Sequence, residues 1–210
     1  MINILDFHTH RAGATGALIS VNPRQFVPQP GKWYSVGVHP WDTANDTSDS
    51  DLTLLEQCVR HPQVLAIGET GLDKLRGGDI DTQTALFIRH LQLAQTVGKT
   101  VVVHSVRATQ QILSIWRDTS VTDVTLAIHG MRGNDHVARM WLDAGCYLSF
   151  GPRFNPAALH VTPLDRLLIE TDDSNTPIQE VAQAIAQARS LPTSQIITAA
   201  TENARRLLIK

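Results

Sequence analysis

The chain has 210 residues, 42% of them hydrophobic and 18% charged, with a formal net charge of -2. This is the balance of an ordinary globular protein with enough chain for a real core, and its bulk charge does not announce a nucleic-acid binder. Cys58 and Cys146 stand alone without a C-x-x-C pair, which argues against a disulfide framework or a thiolate zinc site, and no apolar run approaches the length of a membrane span.

Short apolar runs recur along the chain at Ile4–Phe7, Gly16–Val21, Tyr34–Val38, Val64–Ile67, Thr100–Val103, Val124–Ile128, Cys146–Phe150 and Arg166–Ile169, giving eight expected strands. Helical periodicity separates most of the later ones, at Leu52–Val59, Thr82–Val97, Thr109–Trp116, Asp135–Ala144 and Ile178–Ala188. Gly98 and Gly145 stand where helix ends want a positive φ. Two further short helices are expected near Thr193–Ala200 and Glu202–Ile209, with Thr193 as an N-cap. Strands alternating with helices predict an α/β fold, a parallel closed barrel of the (β/α)8 TIM type. The barrel is expected to be distorted. Only Arg11–Thr15 separate the first two strands, too few for a crossover helix, and three prolines between Asn22 and Lys32 resist one before the third. No linker divides the chain, so residues 1–210 read as a single domain. Asp6 interrupts the opening apolar residues before a signal-peptide core forms, and the cytoplasm is the expected location.

Polar residues follow these runs in a consistent place. The first strand ends in Asp6-Phe7-His8-Thr9-His10, and alternate residues of a strand share a face. The third run ends in His39, the fourth in Glu69, the fifth in His104, the sixth in His129 and the eighth in Glu170-Thr171-Asp172. In parallel barrels sites are built at these C-terminal strand ends. Six donors, His8, His10, Glu69, His104, His129 and Asp172, exceed what one tetrahedral catalytic zinc uses and argue for two divalent metal ions. Glu69 as a shared carboxylate would divide them, with His8, His10 and Asp172 on one ion and His104 and His129 on the other. Water between two such ions loses a proton near neutral pH. Zinc, manganese, iron and magnesium all suit this donor set.

These residues, in this order, resemble the TatD family of metal-dependent hydrolases, barrel proteins that include deoxyribonucleases. The elements that carry the resemblance are D-x-H-x-H at Asp6–His10, G-x-H-P at Gly37–Pro40, I-G-E-x-G-L-D at Ile67–Asp73, V-x-H-S at Val102–Ser105, Ile128-His129-Gly130, L-x-E-T-D at Leu168–Asp172 and the late Asn203-Ala204 pair. The resemblance implies a divalent-metal-dependent hydrolase of ester bonds, a phosphodiesterase or deoxyribonuclease. It puts the metal ligands on the six residues above, with Asp172 also accepting a proton from the attacking water. Catalytic roles are thus expected for Glu69 and Asp172. Asp6, His39 and Asp73 are expected behind the ligands or against substrate, and Glu170 behind a ligand.

The chain departs from the family pattern in its loops. Lys74 stands where Tyr is usual, Val106 follows His104-Ser105 in place of Arg, Met131-Arg132 replace part of H-C-F-S-G, and Ser174 replaces a Pro. Arg11, Lys74, Arg76, Arg107, Arg132 and Arg153 all lie near strand C-terminal ends, and a basic rim favours an anionic, phosphate-containing substrate, DNA among them. No membrane and no obligate protein partner is expected. The rebuilt loops also admit a small phosphoester or an amide as substrate. A barrel that has lost catalysis and serves as a binding or scaffolding protein is the reading of a different class. His61, His90, His136 and His160 fall in helical or outer-loop contexts and read as surface or packing residues.

Overall fold

The computed structural model describes residues 3–44, 49–119, 121 and 123–209; Met1 and Ile2, at the head of the expected first strand's approach, lie outside them. Its eight strands are β1 (Asp6–Thr9), β2 (Ala17–Val21), β3 (Trp33–Val36), β4 (Val64–Asp73), β5 (Thr100–Val106), β6 (Leu126–Ile128), β7 (Tyr147–Phe150) and β8 (Leu167–Ile169). They are hydrogen-bonded in chain order as one closed parallel sheet, the TIM-type topology that the alternation of apolar runs predicts. The helices are α1 (Asp49–Cys58), α2 (Ile80–Val97), α3 (Thr109–Asp118), α4 (Asp135–Asp143), α5 (Pro156–Val161), α6 (Ile178–Arg189) and α7 (Thr193–Leu208). The described chain divides into two compact units, residues 1–19 with 127–210 and residues 20–126.

In the first unit β1 pairs with β2 through Asp6↔Ala17 and Thr9↔Ile19, and with β8 through Asp6↔Ile169. No helix lies between β1 and β2, as their spacing requires. β7 pairs with β6 and β8, and Phe150, Leu148, Leu168 and Ile169 are fully buried. The C-terminal end differs from expectation. One continuous helix, α7, replaces two short ones, because nothing at Thr201-Glu202 breaks it, and Thr193 is its first residue rather than its cap. Pro192 takes the N-cap position and supplies no side-chain bond. α5 was not anticipated from periodicity, although Asn155-Pro156 is a start signal: Asn155 accepts from the Ala157 amide and Pro156 opens the helix.

In the second unit β4 is the long strand, ten residues and buried over nearly its whole length, as expected where one face of a parallel strand meets the barrel interior and the other the surrounding helices. Its register with β3 and β5 is parallel, with Ile67 opposite Val101 and Gly71 opposite His104. Two glycines of β4 flank the Glu69-Thr70 pair because the backbone there leaves no room for a side chain. A Cβ on Gly68 would stand 2.4 Å from the Val102 carbonyl oxygen and one on Gly71 2.1 Å from that of His104, and both residues have positive φ. Asp79 caps α2 through the amides of Asp81 and Thr82, and Gly98 ends it in the left-handed conformation.

Candidate metal centre

In the first unit, β1 and the residue after it carry three donors with two different jobs, Asp6 at the start of the strand and His8 and His10 at its end. Asp6 is buried and turned away from the histidines: its Oδ1 accepts from the Thr171 amide at 2.9 Å and its Oδ2 from the Thr171 hydroxyl at 2.6 Å. Arg11 adds its guanidinium 3.6 Å from Asp6 Oδ2. Burial pushes the Asp6 carboxyl up, only partly opposed by the Thr171 bonds. Asp6 therefore ties the start of β1 to the segment after β8. His8 and His10 project from the same face. Their Nε2 atoms are 3.3 Å apart, and Asp172 Oδ1 lies 3.8 Å from the first and 3.7 Å from the second. Ligands at zinc–nitrogen bond lengths on a tetrahedron are ~3.4 Å apart, so these three atoms stand at the spacing that a common ion needs.

Asp172 reaches this position through an unusual backbone. Its φ of 55° is left-handed, its amide donates to the His8 carbonyl at 2.9 Å, and its own carbonyl accepts from His10 at 3.2 Å. Arg132 approaches the other oxygen of the carboxylate, 3.6 Å from Oδ2. His129 stacks against His8 with ring centroids 4.2 Å apart, and its Nδ1 lies 3.5 Å from Glu170 Oε1, which also accepts from the Gly130 amide at 2.7 Å. Burial would raise the Glu170 carboxyl, but His129 and His8 beside it hold it below the usual range. His129, Glu170 and Asp172 form a second donor group in this unit, so Glu170, expected only to orient a ligand, is itself placed among the donors. Arg153 and Arg107, at the ends of β7 and β5, are exposed.

In the second unit the donors are His39, after the end of β3, and Glu69 and His104, which lie inside β4 and β5 because these strands run on past the expected Ile67 and Val103 to Asp73 and Val106. The hydrogen bonds of His39 fix its tautomer. The Trp41 amide donates to His39 Nδ1 at 3.1 Å, so neutral His39 carries its proton on Nε2 and donates to Glu69 Oε1 at 2.9 Å. His104 lies between two carboxylates, its Nε2 3.1 Å from Asp73 Oδ2 and its Nδ1 2.8 Å from the same Glu69 oxygen. A neutral imidazole has one N–H, so it donates to one of the two and turns a lone pair to the other, where a cation or a second proton would be shared. The group fits a metal on this evidence, with Asp73 fixing His104 from behind. His39, by contrast, presents an N–H toward the cluster, which is the form of a hydrogen-bond donor and not of a ligand.

Asp73 is the busiest carboxylate in this unit. Besides His104 it accepts from the Trp41 indole at 2.6 Å and from the amides of Leu75 and Arg76 at 2.8 and 3.1 Å. Burial opposes its ionisation, yet these bonds hold it below the usual carboxylate range. Gln83 on α2 in turn holds the Asp73 backbone, accepting from its amide at 2.8 Å and donating to the carbonyls of Asp73, Arg76 and Gly78 at 3.1, 3.1 and 2.9 Å. Sequence reasoning missed Gln83, for which a lone glutamine on a helix gives no signal. It also missed the pairing of Trp41 with Asp73, although the aromatic residue directly after His39-Pro40 was visible.

The comparisons with known proteins concern the sequence and the fold. The family model of TatD related DNases matches residues 26–209. A metal-dependent hydrolase of Bacillus subtilis, YabD, is 32% identical over 194 residues, which cover 82% of this chain and 76% of that protein. A protein of Cronobacter turicensis named as a 3'-5' ssDNA/RNA exonuclease, TatD, is 33% identical over 155 residues, 68% of this chain and 57% of the other. Among solved structures, YjjV, a TatD homologue of Escherichia coli, superposes with a TM-score of 0.82 at 24% identity over 99% of both chains, a likeness of fold. Among the described residues no helix is long and apolar enough to cross a membrane. The match of the family model over most of the chain and the identity to YabD lead to one conclusion: the chain belongs to the TatD family of metal-dependent hydrolases.

Proposed function

We propose that this chain is a phosphodiesterase that hydrolyses DNA or a related nucleic acid with two divalent metal ions. The observation that carries the metal part is the clustering of His39, Glu69 and His104, with the His104 imidazole set between Glu69 Oε1 at 2.8 Å and Asp73 Oδ2 at 3.1 Å. The trio of His8, His10 and Asp172 supports a second ion, and the family resemblance implies that His129 is a ligand. The nucleic-acid part rests on the name of the Cronobacter relative and on the cations at strand ends, Arg132 and Arg76 foremost.

Bound divalent cations supply Lewis acidity toward a phosphoryl oxygen and lower the pKa of the attacking water. The chain does the rest. The buried His8 of β1 and the exposed His10 just beyond it present their Nε2 atoms 3.3 Å apart, Asp172 takes the proton of the water on its carboxylate, and Arg132 offers a cation to the phosphate anion beside it. Within the second unit His39 presents its Nε2–H to Glu69. Cys58 and Cys146, both buried free thiols, are in keeping with a reducing compartment, and the cytoplasm is our reading.

The test is elemental analysis of the purified protein, then removal of metal with a chelator and add-back of magnesium, manganese or zinc. Bis-p-nitrophenyl phosphate, single-stranded DNA and acyl amides are the substrates. Restored cleavage of the phosphodiesters is expected. Cleavage of amides alone, or of small monoesters alone, would move the substrate to the second hydrolase reading, and failure to bind any metal would favour the scaffold.

A further inference from the structure

One group beside the second unit's donors is left without a part in metal binding. Trp41 is an indole left 40% exposed at the mouth of a buried polar cluster. A tryptophan side chain in such a place ordinarily turns its apolar face inward, yet this one is fixed by its polar edge, Nε1 donating to Asp73 Oδ2 at 2.6 Å. The guanidinium of Arg76 lies over the ring, 3.6 Å from its centroid. Both layers of this stack hang on one carboxylate: Oδ2 of Asp73 holds the indole, and Oδ1 holds the backbone amide of Arg76. The stack is therefore positioned before any ligand arrives, which lowers the entropy cost of using it.

Its place is equally defined. The indole centroid is 4.7 Å from the His39 ring and 5.7 Å from that of His104. Beyond Arg76 the surface opens into a depression of ≈ 520 Å³ lined by Lys74, Leu75, Gln83 and Gln111 among others. An aromatic face capped by a planar cation, 5.7 Å from the ring of the candidate metal ligand His104, suits a ligand that combines a flat π system with a phosphate. That ligand is a nucleotide: its base stacks on an aromatic ring or on a guanidinium plane, and its phosphate pairs with the cation. A simple phosphate or an amide has no use for the ring.

We infer that Trp41 and Arg76 form a stacking subsite for the base of a nucleotide whose phosphate is presented to the His39–Glu69–His104 group. This deepens the reading of a nucleic-acid substrate and rests on it. The subsite needs no base-specific hydrogen bonds, so it accepts all four bases with a bias toward purines, whose larger rings stack better.

The experiment compares two probes that differ only by the base, deoxyadenosine 5'-monophosphate and 2-deoxyribose 5-phosphate. Each is titrated by calorimetry into the manganese-loaded wild type and into the Trp41→Ala, Trp41→Phe and Arg76→Ala variants, with thermal melts as folding controls. In the wild type the nucleotide should bind about tenfold more tightly than the sugar phosphate. Trp41→Ala should remove that ratio, Trp41→Phe should restore much of it, and Arg76→Ala should weaken both probes while reducing the ratio. Damage transmitted to the metal through Asp73 would weaken both probes alike and leave the ratio intact, so a preserved ratio in Trp41→Ala overturns the inference, as does a wild type that binds both probes equally. The two readings fail separately. Single-stranded DNA cleaved by the wild type and equally well by Trp41→Ala would sink the subsite and spare the nuclease, whereas base-dependent binding without any DNA cleavage would spare the subsite and sink the nuclease.

Discussion

Asp172 is joined to His8 through the backbone as well as through their side chains: its amide donates to the His8 carbonyl at 2.9 Å, while its carboxylate stands 3.8 Å from the His8 imidazole. The next bond runs the other way, from the His10 amide to the Asp172 carbonyl. A three-residue donor set is thus built on two chain segments that are remote in sequence and locked in register, so that the side chains keep their spacing without a bound ion.

Replacing Asp172 tests that lock. Asp172→Asn keeps a side chain that tolerates the left-handed backbone at φ 55°, whereas Asp172→Ala adds strain of about 1 kcal/mol. Both variants should lose hydrolysis and one bound metal, but only the alanine variant should melt measurably lower in chelator. Equal turnover to the wild type in both would remove Asp172 from the chemistry.

Glu69→Gln should behave differently with and without metal. The amide of glutamine can donate to or accept from His104 Nδ1, now 2.8 Å from the carboxylate, so the metal-free variant should be at least as stable as the wild type. Its metal content, read by elemental analysis, should fall. A variant that keeps full metal content would show that Glu69 is not a ligand.

Gln83 is buried and makes four hydrogen bonds to the segment from Asp73 to Gly78. Gln83→Ala strands those backbone groups and should cost about 3 kcal/mol in urea unfolding. In the folded fraction, the fluorescence of Trp41 should change because Asp73 holds its indole. Gln83→Ala with wild-type stability would show that water replaces the amide at no cost.

His90 gives a pH signature separate from the site. Burial depresses its pKa from 6.5 to about 4, and its Nε2 accepts from the Val38 amide at 3.0 Å. Protonation would set two donors face to face. Because the folded value lies below the unfolded one, the unfolded chain takes up the proton first as pH falls. Stability should therefore be intact above pH 6.5 and drop by about 3 kcal/mol between 6.5 and 4. His90→Gln, measured in chelator by urea melts from pH 7 to 4, should lack that component. A slope identical to the wild type would refute it.

Much of the fold was legible because a parallel barrel writes itself as apolar runs with helical stretches between them, and the structure places a strand at each of the eight runs. Residues such as His8 and His104 stood out since a histidine directly after such a run has few packing uses. The C-terminal helix was misread for a local reason: Thr201-Glu202 looks like a start signal, yet Asn203 and Ala204 continue the same buried face as Ile196 and Ala200, and burial overrides it. His39 was harder. Whether it is a ligand or a donor depends on which nitrogen holds the proton, and that is decided by the Trp41 amide, a contact created by the turn after Pro40. The part of Gln83 was invisible since its partners are backbone groups, and every residue type presents those alike.

The four bonds converging on Asp73 carry one more consequence. Its Oδ2 serves the indole of Trp41 and the imidazole of His104 at once, at 2.6 and 3.1 Å. Whatever draws that oxygen toward one partner changes its hold on the other, so the two neighbours form a linked equilibrium. Linkage is reciprocal: if occupancy at His104 alters the affinity of a ligand lying on Trp41 by some factor, that ligand must alter affinity at His104 by the same factor. On the proposed reading, a single carboxylate oxygen would give a cation at His104 and a base at Trp41 one shared coupling free energy.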